Sequence, residues 1–169
     1  FMKSLIIYFS REGENIVDYK IVNLEVGNTE VIAKKIASLT NGHIFKIEPL
    51  EKYPSTYDEC NKIAEEESLH GTNRKWKTPV PSLDEYDVIY VGFPIWFRSY
   101  PRIVGEFLKQ YDFSNKKVKL FCTNDEGSFG TAELELRSIL KGAFIKSGLA
   151  IRGVDIYNSD DKLSRWVNK

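Results

Sequence analysis

Val88-Ile89-Tyr90-Val91-Gly92-Phe93-Pro94-Ile95-Trp96-Phe97-Arg98 is the stretch whose reading decides the fold. Its first half is an apolar run with no polar alternation, which suits a strand buried on both faces of a parallel sheet. The run stops at Gly92, and Pro94 forbids continuation of a central strand, so the chain must turn out at the strand's carboxyl end. Open α/β sheets bind their ligands at that end. A turn there carrying Ile95, Trp96 and Phe97 puts apolar and aromatic surface where loops are ordinarily polar. Packing under the next helix would explain one such loop taken alone, so the other loops decide.

Working outward, residues 3–10 read as a first buried strand ending in the hydroxyl of Ser10. Residues 28–39 place Val31, Ile32, Ile36 and Leu39 at helical spacing, with Asn28 as N-cap and Asn41-Gly42 as a left-handed stop. A second strand over 44–48 ends at Pro49. A helix capped by Ser55 or Thr56 follows, and its acidic run Glu65-Glu66-Glu67 fits a solvated face. A looser segment, 71–83, holds Pro79 and Pro81 and crosses to the third strand, 87–93. Beyond it come a helix over 101–111 with Pro101 in its first turn, a strand over 118–123, a helix over 131–140, a strand over 149–157 and a closing helix over 160–167. Alternating strands and helices predict an α/β fold: one domain with a parallel sheet, right-handed crossovers and helices on both faces.

The composition excludes several classes of partner. Of 169 residues, 24 are basic and 24 acidic, so no global field points to nucleic acid or a membrane surface. The apolar runs are strand-length, well short of the roughly 20 residues that span a bilayer. The first strand begins within a few residues, which leaves no room for a leader, and Phe1 ahead of Met2 has the look of a cloning remnant. Two cysteines, Cys60 and Cys122, fall in different predicted elements, so a reducing cytoplasmic setting without disulfides is expected. They and the histidines His43 and His70 do not cluster as a zinc site would, and no metal is expected.

Three carboxyl-end loops must then be taken together. The first joins Ser10 to the helix start at Gly27-Asn28-Thr29, where unpaired N–H groups and the positive dipole end suit a phosphate. A plain helix cap would also account for that loop alone. Neither a Walker pattern nor G-x-G-x-x-G follows the first strand, so no nucleoside triphosphate or Rossmann dinucleotide is signalled. The second loop is the aromatic turn. The third, Thr123-Asn124-Asp125-Glu126-Gly127-Ser128-Phe129-Gly130, is small and polar enough for its backbone to approach the edge of a planar heterocycle. A phosphate nest, an aromatic wall and an amide-lined edge describe a slot for a phosphorylated flat ring, and flavin mononucleotide (FMN) fits it.

The segments Ile6-Ile7-Tyr8-Phe9-Ser10-Arg11, Gly27-Asn28-Thr29-Glu30, Gly92 to Phe97, and Phe121-Cys122-Thr123 with Glu126 to Gly130 together resemble the flavodoxin family, in the branch with a long first loop. The resemblance covers nearly the whole chain. It implies a flavodoxin-like three-layer sandwich, a five-stranded parallel sheet in the order 2-1-3-4-5, and flavin at the switch between strands one and three. Carried over by position, Ser10, Asn28 and Thr29 would hold the phosphate, with Arg11 and Glu30 as lesser candidates. Pro94, Ile95, Trp96 and Phe97 would wall the isoalloxazine, and Thr123, Asn124, Asp125, Gly127, Ser128, Phe129 and Gly130 would line its pyrimidine side.

Three departures stand out. Residues 11–26 interrupt what is usually a compact phosphate loop, and their alternation suggests a small hairpin, either a lid or a surface insertion. The turn at Trp96-Phe97 lacks the glycine that lets the peptide beside the flavin flip cheaply. The neutral total charge gives little steering toward a basic partner. The leading expectation is an FMN-dependent redox protein, an electron carrier serving a redox partner protein or small acceptor. The alternatives are an NAD(P)H-dependent quinone reductase of the same superfamily, or a flavin-free binding or regulatory module on this scaffold.

Overall fold

Ser4–Tyr8 form β1 as the apolar run predicts, with all five residues buried. The computed structural model describes residues 2–77 and 82–169, so Phe1 and the expected linker prolines Pro79 and Pro81 lie outside the described residues. After β1 come β2 (Gly13–Val17), β3 (Lys20–Leu24), α1 (Asn28–Thr40), β4 (His43–Lys46), α2 (Tyr57–His70), β5 (Val88–Pro94) and α3 (Arg102–Leu108). The chain then runs through β6 (Lys117–Asn124), α4 (Ala132–Ile139), β7 (Phe144–Ile145), β8 (Leu149–Arg152), a 3-10 helix (Gly153–Asn158) and α5 (Asp160–Val167).

The main sheet is parallel and runs β4-β1-β5-β6, with the outer edge of β6 shared by β7 and β8. This is the expected order 2-1-3-4-5 with its fifth position divided between two short strands, so the sheet has six strands rather than five. A single strand over 149–157 fails for a simple reason. Ile151 and Ile156 are both buried in the same layer, and an odd separation cannot put two residues on one face of a strand. The chain therefore leaves extended geometry after Arg152 and turns as a 3-10 helix.

Alternation along the buried strands builds two apolar layers. Leu5, Ile7 and Phe9 of the β1 segment and Ile89, Val91 and Phe93 of β5 face the layer that also holds Val104 and Phe107 of α3. Ile6, Tyr8, Val88 and Tyr90 face the opposite layer, against Ile32 and Ile36 of α1 and Leu163 and Trp166 of α5. Gly92 does not end β5, as its apolar run suggested; the strand continues to Pro94, paired with Thr123. A Cβ at Gly92 would stand 2.0 Å from the Phe121 ring, so the residue is small to admit that ring.

Two helix details also differ. The residue capping α1 is Gly27, with Asn28 already helical. Glu67 leaves the expected solvated run and is buried, taking hydrogen bonds from Tyr53 Oη (2.6 Å), Thr72 Oγ1 (2.9 Å) and Arg74 Nε (3.1 Å). A carboxylate supplied with three donors tolerates burial that a bare one does not. The 11–26 insertion is the hairpin the alternation suggested, β2 against β3, turning through Asp18 and Tyr19 in the left-handed region.

Candidate functional site

The carboxyl ends of β1, β5 and β6 surround a cleft of ≈ 300 Å³. Its first end is built on the start of α1. Ser10 Oγ accepts the Glu30 N–H (3.1 Å), and Thr29 Oγ1 meets Thr123 Oγ1 at 2.8 Å, tying the helix start to β6. A Cβ on Gly27 would lie 2.2 Å from Ser10 Oγ and 2.7 Å from the Arg11 carbonyl oxygen. Only a residue without a side chain lets the two ends of the insertion close on each other here. Ser10, Asn28 and Thr29 all line the cleft, as expected.

Arg11 lines it too, but as a strut. Its guanidinium donates to the carbonyls of Pro54 (3.1 and 2.8 Å), Thr56 (3.1 Å) and Glu14, fastening the hairpin base to the loop before α2. It is 8% exposed, and no carboxylate lies within ion-pair distance of it among the described residues. A buried cation with only carbonyl acceptors makes the cleft favourable to an anion. Glu30, by contrast, points away and pairs with Lys34 (2.9 Å) and Lys46 (2.8 Å). Burial works to raise its carboxyl, but the two lysines outweigh it and hold the pKa below the ordinary value.

The aromatic turn supplies the second wall, and Pro94, Ile95, Trp96 and Phe97 all reach the cleft. Trp96 is wedged edge-on against Phe9 (5.3 Å between ring centroids) and Tyr53 (5.0 Å). Phe97 and Arg98 have φ of 49° and 69°. Left-handed backbone at a non-glycine residue costs about 1–2 kcal/mol, so the surroundings must hold this turn in place.

In the third loop, Thr123, Asn124 and Asp125 face the cleft and residues 127–130 do not. Asn124 Oδ1 accepts the N–H groups of Gly127 (2.5 Å) and Ser128 (3.2 Å), curling the loop back on itself. Phe129 packs on Phe93 with ring centroids 6.4 Å apart, while Gly130 is pressed against Arg98, where a Cβ would come within 2.1 Å of the carbonyl oxygen. Phe129 and Gly130 thus brace the aromatic turn and the strand end before it, whereas Gly127 packs against the Arg152 side chain and Ser128 stays within the loop's own hydrogen bonds. The Asp125 carboxylate takes the Asp18 N–H (3.0 Å) on one oxygen and the Tyr19 N–H (2.8 Å) on the other, so the hairpin tip is tied to loop three.

Sequence reasoning missed the rest of the lining. Asn15 and Ile16 come from the hairpin, Gly153 from the end of β8, and Tyr57, Cys60, Asn61 and Ala64 from one face of α2. The α2 residues recur at helical spacing, which was a usable signal masked by the acids between them. Gly153 could have been found by applying the carboxyl-end rule to β8. Burial pushes the Cys60 thiol up, against the opposing pull of the Arg11 guanidinium, so it stays protonated at neutral pH.

An open, doubly wound parallel sheet with a crevice where the strand order reverses, between β1 and β5, defines the flavodoxin-like class. The family model described as Flavodoxin matches residues 3–169, and the chain belongs to the flavodoxin family. A protein of Bacteroides uniformis, provisionally described as a flavoprotein, is 28% identical, with 99% of each chain covered and a TM-score of 0.76. A second such protein, from Bacteroides eggerthii, is 22% identical over 97% of this chain and 99% of its own, with a TM-score of 0.72. A Lactobacillus acidophilus flavoprotein solved in complex with FMN shares the fold at 20% identity, 97% and 99% coverage and a TM-score of 0.68. No curated protein matches the sequence.

Proposed function

We propose that this protein binds FMN in the cleft and carries electrons through it. The observation that bears most weight is the closure of Gly27 on Ser10 and Arg11. It leaves a helix start at a cleft whose buried cation, Arg11, has no acid within ion-pair distance among the described residues. That end suits a phosphate dianion, and the Trp96-Phe97 wall suits a flat ring. The bound flavin would supply the redox chemistry, while the protein fixes its position and surroundings.

Each element has a separate part in this reading. Ser10 and the start of α1 seat the phosphate, and Ile95, Trp96 and Phe97 keep water from one face of the ring. Asp125 contributes a fixed negative charge near the ring, which opposes a further negative charge there and lowers the reduction potential. The hairpin contributes Asn15 and Ile16 to the lining of the cleft.

The test is direct. Protein reconstituted with FMN should be yellow and quench flavin fluorescence on a one-to-one titration; protein that FMN cannot colour rejects the proposal. The extension of the cleft along α2 to Tyr57, Asn61 and Ala64 favours a second version, in which a small acceptor is reduced beside the ring. Rapid bleaching by NADH or NADPH in an anaerobic stopped-flow mix would support that enzyme. Slow bleaching with fast exchange to a protein partner supports the carrier.

A further inference from the structure

The reversal of chain at the aromatic wall is made by two residues. Trp96 N–H donates to Ser99 O (2.8 Å) and Ser99 N–H to Trp96 O (3.2 Å), leaving Phe97 and Arg98 as the whole turn, both left-handed. Two-residue turns of this hand ordinarily take Asn-Gly, because bulky residues resist positive φ. A Phe-Arg pair held so must be over-determined from outside.

The restraint converges on one side chain that does not reach the cleft. Glu135, in α4, accepts hydrogen bonds from the Ser99 hydroxyl, from Thr131 Oγ1 (2.7 Å) and from Arg102 Nη1 (3.1 Å). Thr131, its hydroxyl proton committed to Glu135, donates its N–H to the carbonyl of Arg98 (2.7 Å). Arg102 lies over the Tyr100 ring at 4.4 Å. One carboxylate thereby joins the residue after the turn, the residue capping α4 and the first residue of α3.

We propose that Glu135 is the positioning residue of the flavin wall. It holds Phe97-Arg98 in the left-handed form and so sets the direction in which the Phe97 ring and the Trp96–Phe97 peptide meet the ligand. This rests on the FMN reading, but the clamp itself can be tested without flavin. Released from Glu135, the turn relaxes toward the right-handed backbone that Phe and Arg prefer, and the wall is withdrawn.

The experiment compares wild type, Glu135→Gln, Glu135→Ala and the double variant Glu135→Ala/Arg98→Gly. In flavin-free protein, strong intraresidue HN–Hα NOEs at residues 97 and 98 report positive φ. In wild type and Glu135→Gln they should be present, and in Glu135→Ala lost. FMN affinity should fall at least tenfold in Glu135→Ala and return to within about threefold of wild type once Arg98→Gly removes the resistance to positive φ. Thermal melts identify any variant that is not folded. The proposal is overturned if Glu135→Ala keeps both NOEs, or if it binds FMN weakly and Arg98→Gly restores nothing. A wild type that shows the NOEs and binds no FMN would refute the flavin reading while leaving the clamp intact.

Discussion

At the residue scale, Gly27 and Trp96 mark the two ends of the cleft and fail in different ways. Gly27→Ala drives a methyl into the Arg11 backbone, which cannot rotate aside as Ser10 Oγ can. We expect a loss of about 1–3 kcal/mol in stability and at least a tenfold loss in FMN affinity, read by urea denaturation and by calorimetric titration. Trp96→Ala leaves the helix start untouched and removes stacking surface. Binding should weaken by about 1–2 kcal/mol, and calorimetry showing no change would reject Trp96 as part of the wall. Since the indole also packs edge-on to Phe9 and Tyr53, the flavin-free variant should lose stability as well.

At the scale of elements, the hairpin is anchored unequally. Its base is bolted by the Arg11 guanidinium, by Glu14 N–H to Ser55 O (2.8 Å) and by Tyr57 N–H to Glu14 Oε1 (2.8 Å). Its tip hangs on the two oxygens of Asp125. Asp125→Ala should therefore free the tip and leave the base. Exchange of the Asp18 and Tyr19 amides should quicken about fivefold, in line with roughly 1 kcal/mol for such solvent-exposed bonds, and FMN should associate and dissociate faster. Unchanged exchange at both amides would show that Asp125 is not the tether.

The same element shows where the sequence stops being legible. Alternation in residues 11–26 was enough to expect two strands, because strand period is local. Docking was hidden, because it runs from turn amides to a carboxylate more than a hundred residues along. Likewise the small residues at 127–130 reported that the backbone there comes close to something, without saying to what. The partners are Arg152 for Gly127 and Arg98 for Gly130, not the cleft. The buried strands and α5 were readable because continuous apolar runs and helical spacing carry their own registration.

For the whole molecule, the balanced charge predicts that, under the proposed carrier function, association with a protein partner depends only weakly on salt. Acid stability is more sensitive. The Glu30 and Glu135 carboxyls lie below their ordinary value of 4.5; burial would raise each, but lysines and lysine hydrogen bonds prevail at Glu30, and Ser99, Thr131 and Arg102 prevail at Glu135. A depressed folded pKa means the unfolded chain takes up the proton first. Their contribution is thus fully present above pH 4.5 and lost as the pH falls through the depressed values. Each is partly exposed and contributes about 1 kcal/mol or less. Urea midpoints measured from pH 6 to pH 3 should fall in wild type and fall less steeply in Glu30→Gln.

The tether between Asp125 and the hairpin tip also bears on the order of assembly. Asp18 and Tyr19 are separated from their acceptor by 107 and 106 positions, and Thr29 from Thr123 by 94. Neighbouring segments close early because their loops are short, while such remote links wait until β6 has joined the sheet. These ties to loop three can therefore form only after β6 has joined the sheet, so the hairpin tip docks late in folding.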